Sequence, residues 1–218
     1  MLQTLRAGDL NLHQVKAQFG LREALEQSFF LEWQENLPEL NLDEMRSLDQ
    51  LKTNFLYLLE FPMSEEAVKL VMLSPLLSKA NFFKPPFHLR TEASVQIELK
   101  NDDRSSEDPD SQLVRGRIDV LLLRDEFWVL VVEAKEKGFS LENAIAQALT
   151  YMLSSPSQDR PVYGFATNGS EFIFLKTVRE PTPQYALSDL FTLRRQHNDL
   201  YTVLQILTAL ERRDWLRN

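Results

Sequence analysis

Three side chains near the middle of the sequence have the types and spacing to do chemistry together: Asp119, Glu133 and Lys135. Glu133 closes the wholly apolar run 127–132, and a carboxylate there is costly to desolvate unless a partner or a cation meets it. Glu133 and Lys135 stand two apart, so on an extended strand they leave by the same face. The turn signal Arg124-Asp125-Glu126 folds this run back on 113–123, which brings Asp119 beside Glu133. Two carboxylates and an ammonium at one sheet edge suit a hard divalent cation such as Mg²⁺, with Mn²⁺ as a substitute. The Ala134 carbonyl is a candidate third oxygen ligand. A cation held there can polarise a phosphate oxygen and acidify a water. Lys135 can stabilise the charge that develops at phosphorus or orient the attacking water.

The elements that must position these groups are legible in the periodicity. Phe87, Leu89, Ala93, Val95, Ile97 and Leu99 alternate as a strand, with Thr91 as the gap. Residues 100–112 read as an exposed acidic loop, 113–123 as a second strand and 127–132 as a buried third. Leu141, Ala144, Ile145, Ala148, Leu149, Met152 and Leu153 keep helical spacing without a miss. Gln147 and Tyr151 lie four apart on the flank of that stripe, where they can face Lys135. Strands over 162–166 and 171–175 surround Asn168-Gly169, a hairpin-turn signal. A last helix starts near Asn198. Upstream, Ser64 is a helix N-cap followed by Glu65 and Glu66, and Pro75 is expected to end or kink that helix. Residues 1–61 read as mostly helical. The order implies a mixed α/β sheet flanked by helices, with a helical N-terminal extension over 1–61 and the chemistry-bearing domain over 62–218.

Asp119, a gap, then Glu133-x-Lys135 resembles the D…(D/E)xK signature of the PD-(D/E)XK nuclease superfamily, with Ile118 where the usual proline stands. Gln147-Ala148-Leu149-Thr150-Tyr151 is similar to the QxxxY motif that follows ExK in the N-terminal nuclease domain of type I restriction enzyme R subunits. Glu65, upstream of Pro75-Leu76-Leu77, resembles the acidic helix of that same domain. The resemblance covers roughly residues 64–176. It implies a restriction-endonuclease-like fold, a magnesium-dependent endonuclease acting on DNA, Asp119 and Glu133 as metal ligands, and Glu65, Lys135, Gln147 and Tyr151 as further site residues. It also implies restriction–modification subunits as partners. The R subunits continue into an ATP-driven motor, whereas this sequence has no GxxxxGK[ST] phosphate loop, so DNA translocation is not expected of it alone.

Composition sets the bounds. At 218 residues with 44% hydrophobic and 26% charged, the sequence is an ordinary globular one. A net charge of −8 argues against broad coating of nucleic acid, although local patches outweigh totals. The absence of cysteine excludes disulfides and thiolate metal sites. With no apolar h-region in 1–10 and no membrane-length apolar run, a cytoplasmic protein is expected. Each site residue also has a plain reading. Asp119, Glu133 and Lys135 can be solvated strand-end groups, and Gln147 and Tyr151 a helix border. Glu65 can serve the helix dipole alone, and Glu92 reads as a solvated strand residue. Arg115 and Arg117 are candidate phosphate contacts. His13, His88 and His197 lack metal-ligand spacing. The competing function is a catalytically inactive module of the same fold that binds nucleic acid or protein. A homodimer fits two-strand cutting.

Overall fold

The computed structural model describes residues 3–99, 112–136, 138 and 140–213. The loop expected over 100–112 lies outside them except for Gln112. Among the described residues nine strands form one mixed sheet. They are β1 (Gln3–Arg6), β2 (Arg22–Glu23), β3 (Phe87–Leu99), β4 (Gln112–Arg124), β5 (Phe127–Ala134), β6 (Val162–Thr167), β7 (Glu171–Val178), β8 (Gln184–Leu187) and β9 (Phe191–Thr192). Their order is β1-β4-β5-β6-β7-β8-β2, with β3 also on β4 and β9 on β7. The helices are α1 (Leu12–Phe19), α2 (Leu42–Leu58), α3 (Glu65–Val68), α4 (Ser74–Lys79), α5 (Leu141–Met152) and α6 (Leu200–Arg212).

Two apolar layers sandwich the sheet. On one face Leu130, Val132, Phe165, Phe172 and Phe174 meet residues of α2, α4 and α6. On the other, Leu121, Val131 and Leu175 meet α5 and α1. β5 therefore feeds both layers, which is why its run carries no polar face. The mixed α/β sheet flanked by helices is the architecture the periodicity implies. Helix α5 has the bounds its spacing predicts, and Ser140 Oγ caps it by accepting from the Glu142 N–H at 3.2 Å.

Pro75 does not end its helix. The segment runs on from α3 through a wide turn at Lys69–Leu73 into α4, with Pro75 in the first turn of α4. In the wide turn the Ser74 N–H reaches back five residues to the Lys69 carbonyl. That loosened spacing makes room for the proline ring, whose clash would otherwise fall on the preceding turn.

Residues 1–61 are not all helical. They also supply β1, parallel to β4, and β2, parallel to β8. Ala7, Leu10, Val15 and Leu21 join the α5 layer, while Phe30, Leu48 and Phe55 join the opposite one. Strands of four and two residues are too short to show alternation. No helix among the described residues is long and apolar enough to cross a membrane.

Candidate active site

The geometry of the site begins with how β4 is shared. β3 pairs along one of its edges, from Phe87↔Arg124 to Leu99↔Gln112. The other edge is divided. β5 pairs with β4 from Arg124 back to Val120, and β1 pairs with Gln112 through Arg115. Residues 116–119 face neither. β5 meanwhile continues past Val132 alongside β6, to Ala134↔Thr167. The two strands thus part at Val120 and Val132, and a cleft opens between them.

Backbone N–H groups exposed by such a parting need new acceptors, and side chains supply them. Asp119 Oδ2 accepts from the Ala134 N–H at 2.7 Å. The Tyr151 hydroxyl, reaching over from α5, accepts from the Arg117 N–H at 3.1 Å and from Gln147 Nε2 at 3.1 Å. Gly116 permits this approach, because a Cβ there would collide with the Tyr151 hydroxyl and ring. The turn after β1 completes the seat. A Cβ on Gly8 would come within 3.4 Å of Gln147 Oε1.

Into the same opening the sheet and helix deliver charged groups. Glu133 is fully buried, and among the described residues neither of its carboxylate oxygens has a hydrogen-bond partner. Lys135 Nζ stands 3.7 Å from Glu133 Oε2. The Asp119 backbone N–H is near enough to favour the charged carboxylate without bonding it. Burial, and then the Asp119 charge, hold the Glu133 pKa well above the usual carboxylate range. Burial also raises Asp119, to about 6, with Glu65 pushing the same way against the Ala134 N–H and the two lysines.

Lys69 completes the cluster. Its ammonium lies 3.1 Å from Glu65 Oε1, 3.4 Å from Asp119 Oδ1 and 3.5 Å from Glu92 Oε1. Burial opposes its charge, but Asp119, Glu65 and Glu92 more than compensate and hold its pKa above the usual lysine range. Glu65 also reaches Lys135, at 4.0 Å. One carboxylate on α3 therefore stands between two lysines. Glu92 sits on β3 directly beside the parting, between the pairs Thr91↔Val120 and Ala93↔Ile118, with φ of 52°. For a residue with a Cβ that left-handed backbone is strained.

All six of the residues selected from the sequence therefore meet at one place: Asp119 and Glu133 from the two strands, Lys135 just past the end of β5, Gln147 and Tyr151 from α5, and Glu65 from α3. Ala134 offers its backbone N–H to Asp119. On an extended strand its carbonyl leaves by the same edge, toward the cleft. Arg115 and Arg117 are exposed beside the gap and line a shallow recess with Ser94 and Gln96. Two residues escape sequence reasoning. Lys69 joins the cluster, and Glu92, exposed as its strand alternation implies, also reaches the Lys69 ammonium. A lysine four residues after Glu65 on a helix was the available signal for the first. Of the three histidines, His197 pairs with Asp199 rather than with the carboxylates of the cleft. Among the described residues no group of three or more His, Cys, Asp or Glu forms a ready-made metal shell. The cleft offers two strand-borne carboxylates, the number a magnesium site that keeps its waters uses.

Comparison with known proteins gives two findings. The profile of the family described as Type I restriction enzyme R protein N terminus (HSDR_N) matches residues 23–182. Among solved structures, the chain is similar to a fragment described as an HsdR subunit of a type I restriction enzyme from Vibrio vulnificus YJ016. That similarity has 18% sequence identity and a TM-score of 0.41, covering 68% of this chain and 26% of that one. The matched region thus spans about a quarter of that fragment's length. No curated protein matches it.

Proposed function

The chain belongs to the family of type I restriction enzyme R protein N termini, and from that premise we propose that it is a metal-dependent nuclease hydrolysing DNA phosphodiester bonds in the cleft between β4 and β5. The observation that carries this reading is Glu133, a fully buried carboxylate whose two oxygens lack a hydrogen-bond partner among the described residues. A group in that state costs several kcal/mol, and a divalent cation is the ligand that would relieve it. Asp119, Glu133 and the Ala134 carbonyl are the groups that would hold Mg²⁺ or Mn²⁺. When bound, the cation supplies Lewis-acid polarisation of a phosphate oxygen and a more acidic water.

The protein's own groups do the rest. Lys135 lies at the mouth of the cleft with its ammonium between Glu133 and Glu65, placed to meet negative charge as it develops on phosphate oxygens. Glu65 positions Lys135 and Lys69 together. Tyr151 and Gln147 act at one remove, by holding the parted backbone of β4 in place. Residues 62–218 are the unit that carries the site, and residues 1–61 close it through β1 and the Gly8 turn. Further restriction–modification subunits, or a second copy of the chain, are the partners such a domain would work with in the cytoplasm.

A catalytically inactive module is the second reading. It is favoured by Lys69, whose ammonium already stands on Asp119 Oδ1. Nicking of supercoiled plasmid and cutting of single-stranded DNA, measured with Mg²⁺, Mn²⁺ or EDTA beside a Lys135→Ala control, separates the two. Metal-dependent cutting that disappears in the control is the expected result. No cutting by folded protein with either metal would favour the inactive module.

A further inference from the structure

Beside the cleft lies a slot that the hydrolysis itself does not use. It has a volume of about 520 Å³, and its lining includes Lys69, Asp119, Leu70, Leu77, Phe83 and Leu89. That volume suits a small organic ligand. One wall is the helical segment from Lys69 through Leu73 to Leu77; the other is β3 from Glu92 back to Leu89. Both walls change character in the same direction. Glu66, Lys69, Glu92 and Asp119 make one end charged, three carboxylates to one ammonium. Roughly 10 Å along, by the rise per residue of a strand or helix, Leu77, Leu89 and Phe83 make the other end apolar. Phe83 is 45% exposed, Leu89 41% and Leu70 72%, so three large apolar side chains stand in solvent around one slot.

We infer that this slot takes a single unpaired nucleobase and its sugar, belonging to the nucleotide whose phosphate lies at Asp119. The inference rests on the nuclease reading above and specifies its substrate: DNA with an unpaired nucleotide at the cut. Two features of the slot point to this occupant. Asp119 belongs to both the cluster and the slot, so a phosphate held at the cluster places its attached nucleoside at the slot's charged end. That end is acidic, so a phosphate would be met there by Lys69 and by the cation that the nuclease reading places on Asp119; from it the slot runs to an apolar end, as a nucleotide runs from phosphate to base. A base face is flat and stacks on an aromatic ring whatever its sequence, and Phe83 offers such a ring. A base still paired in a duplex has both faces covered and cannot enter.

The test uses full-length protein in Ca²⁺. Binding of a single-stranded oligonucleotide carrying 2-aminopurine, and of the same strand in a duplex, is followed by fluorescence and anisotropy. Parent, Phe83→Ala and Leu70→Gln are compared, with folding checked by circular dichroism. The expected result is 2-aminopurine quenching in the parent and a roughly tenfold weaker single-strand Kd in Phe83→Ala, the scale of one lost base–aromatic stack. Duplex binding should change less than twofold. Leu70→Gln is the second, conservatively placed surface variant and should weaken the single strand in the same direction. Equal single-strand binding by folded parent and variants overturns the inference. So does a variant effect confined to self-association, which would make the slot a protein interface. Metal-dependent plasmid cutting by the parent separates the two failures: if it persists while the variants bind normally, only the slot assignment falls.

Discussion

Two glutamates in this protein, one half-buried and one fully buried, have opposite fates. Glu32, in the 3-10 segment Gln27–Trp33, accepts from the Tyr163 hydroxyl at 2.6 Å, from Lys176 at 2.8 and 3.1 Å, and from Arg213 at 2.7 Å. Burial alone would raise its pKa, but the bonds from Lys176 and Tyr163 outweigh burial and lower it. Glu133 is fully buried, has no hydrogen-bond partner among the described residues and only the Lys135 ammonium at 3.7 Å, and its pKa is raised by burial. The first carboxylate is a clamp joining the N-terminal segment, β6, β7 and the end of α6. The second is held at the edge of a cleft in a state the fold itself leaves incomplete. A buried charge that is fully met by its neighbours argues for a structural role. One met only in part, by a lysine at 3.7 Å, argues that something else is to complete it.

The comparison is broken or sharpened most strongly by the paired substitutions Glu133→Gln and Glu32→Gln. Glu133→Gln should lower metal-dependent cutting by about 10³-fold, the several kcal/mol that a lost ligand removes, while leaving Tm unchanged or higher. Glu32→Gln should do the reverse. Loss of charge-assisted hydrogen bonds costs about 2 kcal/mol, or roughly 4–8 °C in Tm for a chain of this size, with cutting intact below the transition. Plasmid nicking and thermal melts read both; a Glu133→Gln variant that melts far below the parent would erase the distinction.

A smaller effect tests the scaffold of the cleft. Gly116→Ala should cost about 1–3 kcal/mol through overpacking and lower cutting about tenfold by dislodging Tyr151. The losses from Gly116→Ala and Tyr151→Phe should be sub-additive in the double variant, because both act on one contact. Full additivity in a thermodynamic cycle would show that the two do not share it.

The smallest effect is in pH. Glu32 is more acidic in the folded protein than when unfolded, so between the two values the unfolded chain binds more protons. Its contribution is therefore complete above the ordinary glutamate pKa of 4.5 and fades as pH falls through the lower folded value. The Tm difference between the parent and Glu32→Gln should be constant near neutrality and shrink in acid. A difference that grows below pH 4.5 would reverse the assignment.

The sequence exposed the strands and α5 because burial on two sheet faces writes itself as period 2, and burial of one helix face as period 3.6. Asp119, Glu133 and Lys135 were legible for the same reason: polar groups interrupt runs whose periodicity is otherwise apolar. Lys69 was not, since it meets Asp119 only through the docking of a helix fifty positions away in sequence. Glu92 read as solvated because alternation places it on the polar face, and nothing local announces its left-handed backbone. Gly116 is intermediate. A glycine inside a strand signals close approach, but not that a tyrosine from α5 makes it. The strands β1 and β2 carried no pattern, and with them the role of residues 1–61 in closing the cleft was hidden.

That closure has a consequence for how the molecule is assembled. The register joins Gln3 to Gln112 and Arg6 to Arg115 in parallel. Contacts so distant along the chain pay loop-closure entropy before any pairing rewards them, and topologies rich in them fold slowly. The hairpin of β3 and β4 and the β5–β6 unit need far shorter loops. The wall that β1 contributes therefore carries a larger loop-closure cost than the strand pairings that gather Asp119 and Glu133.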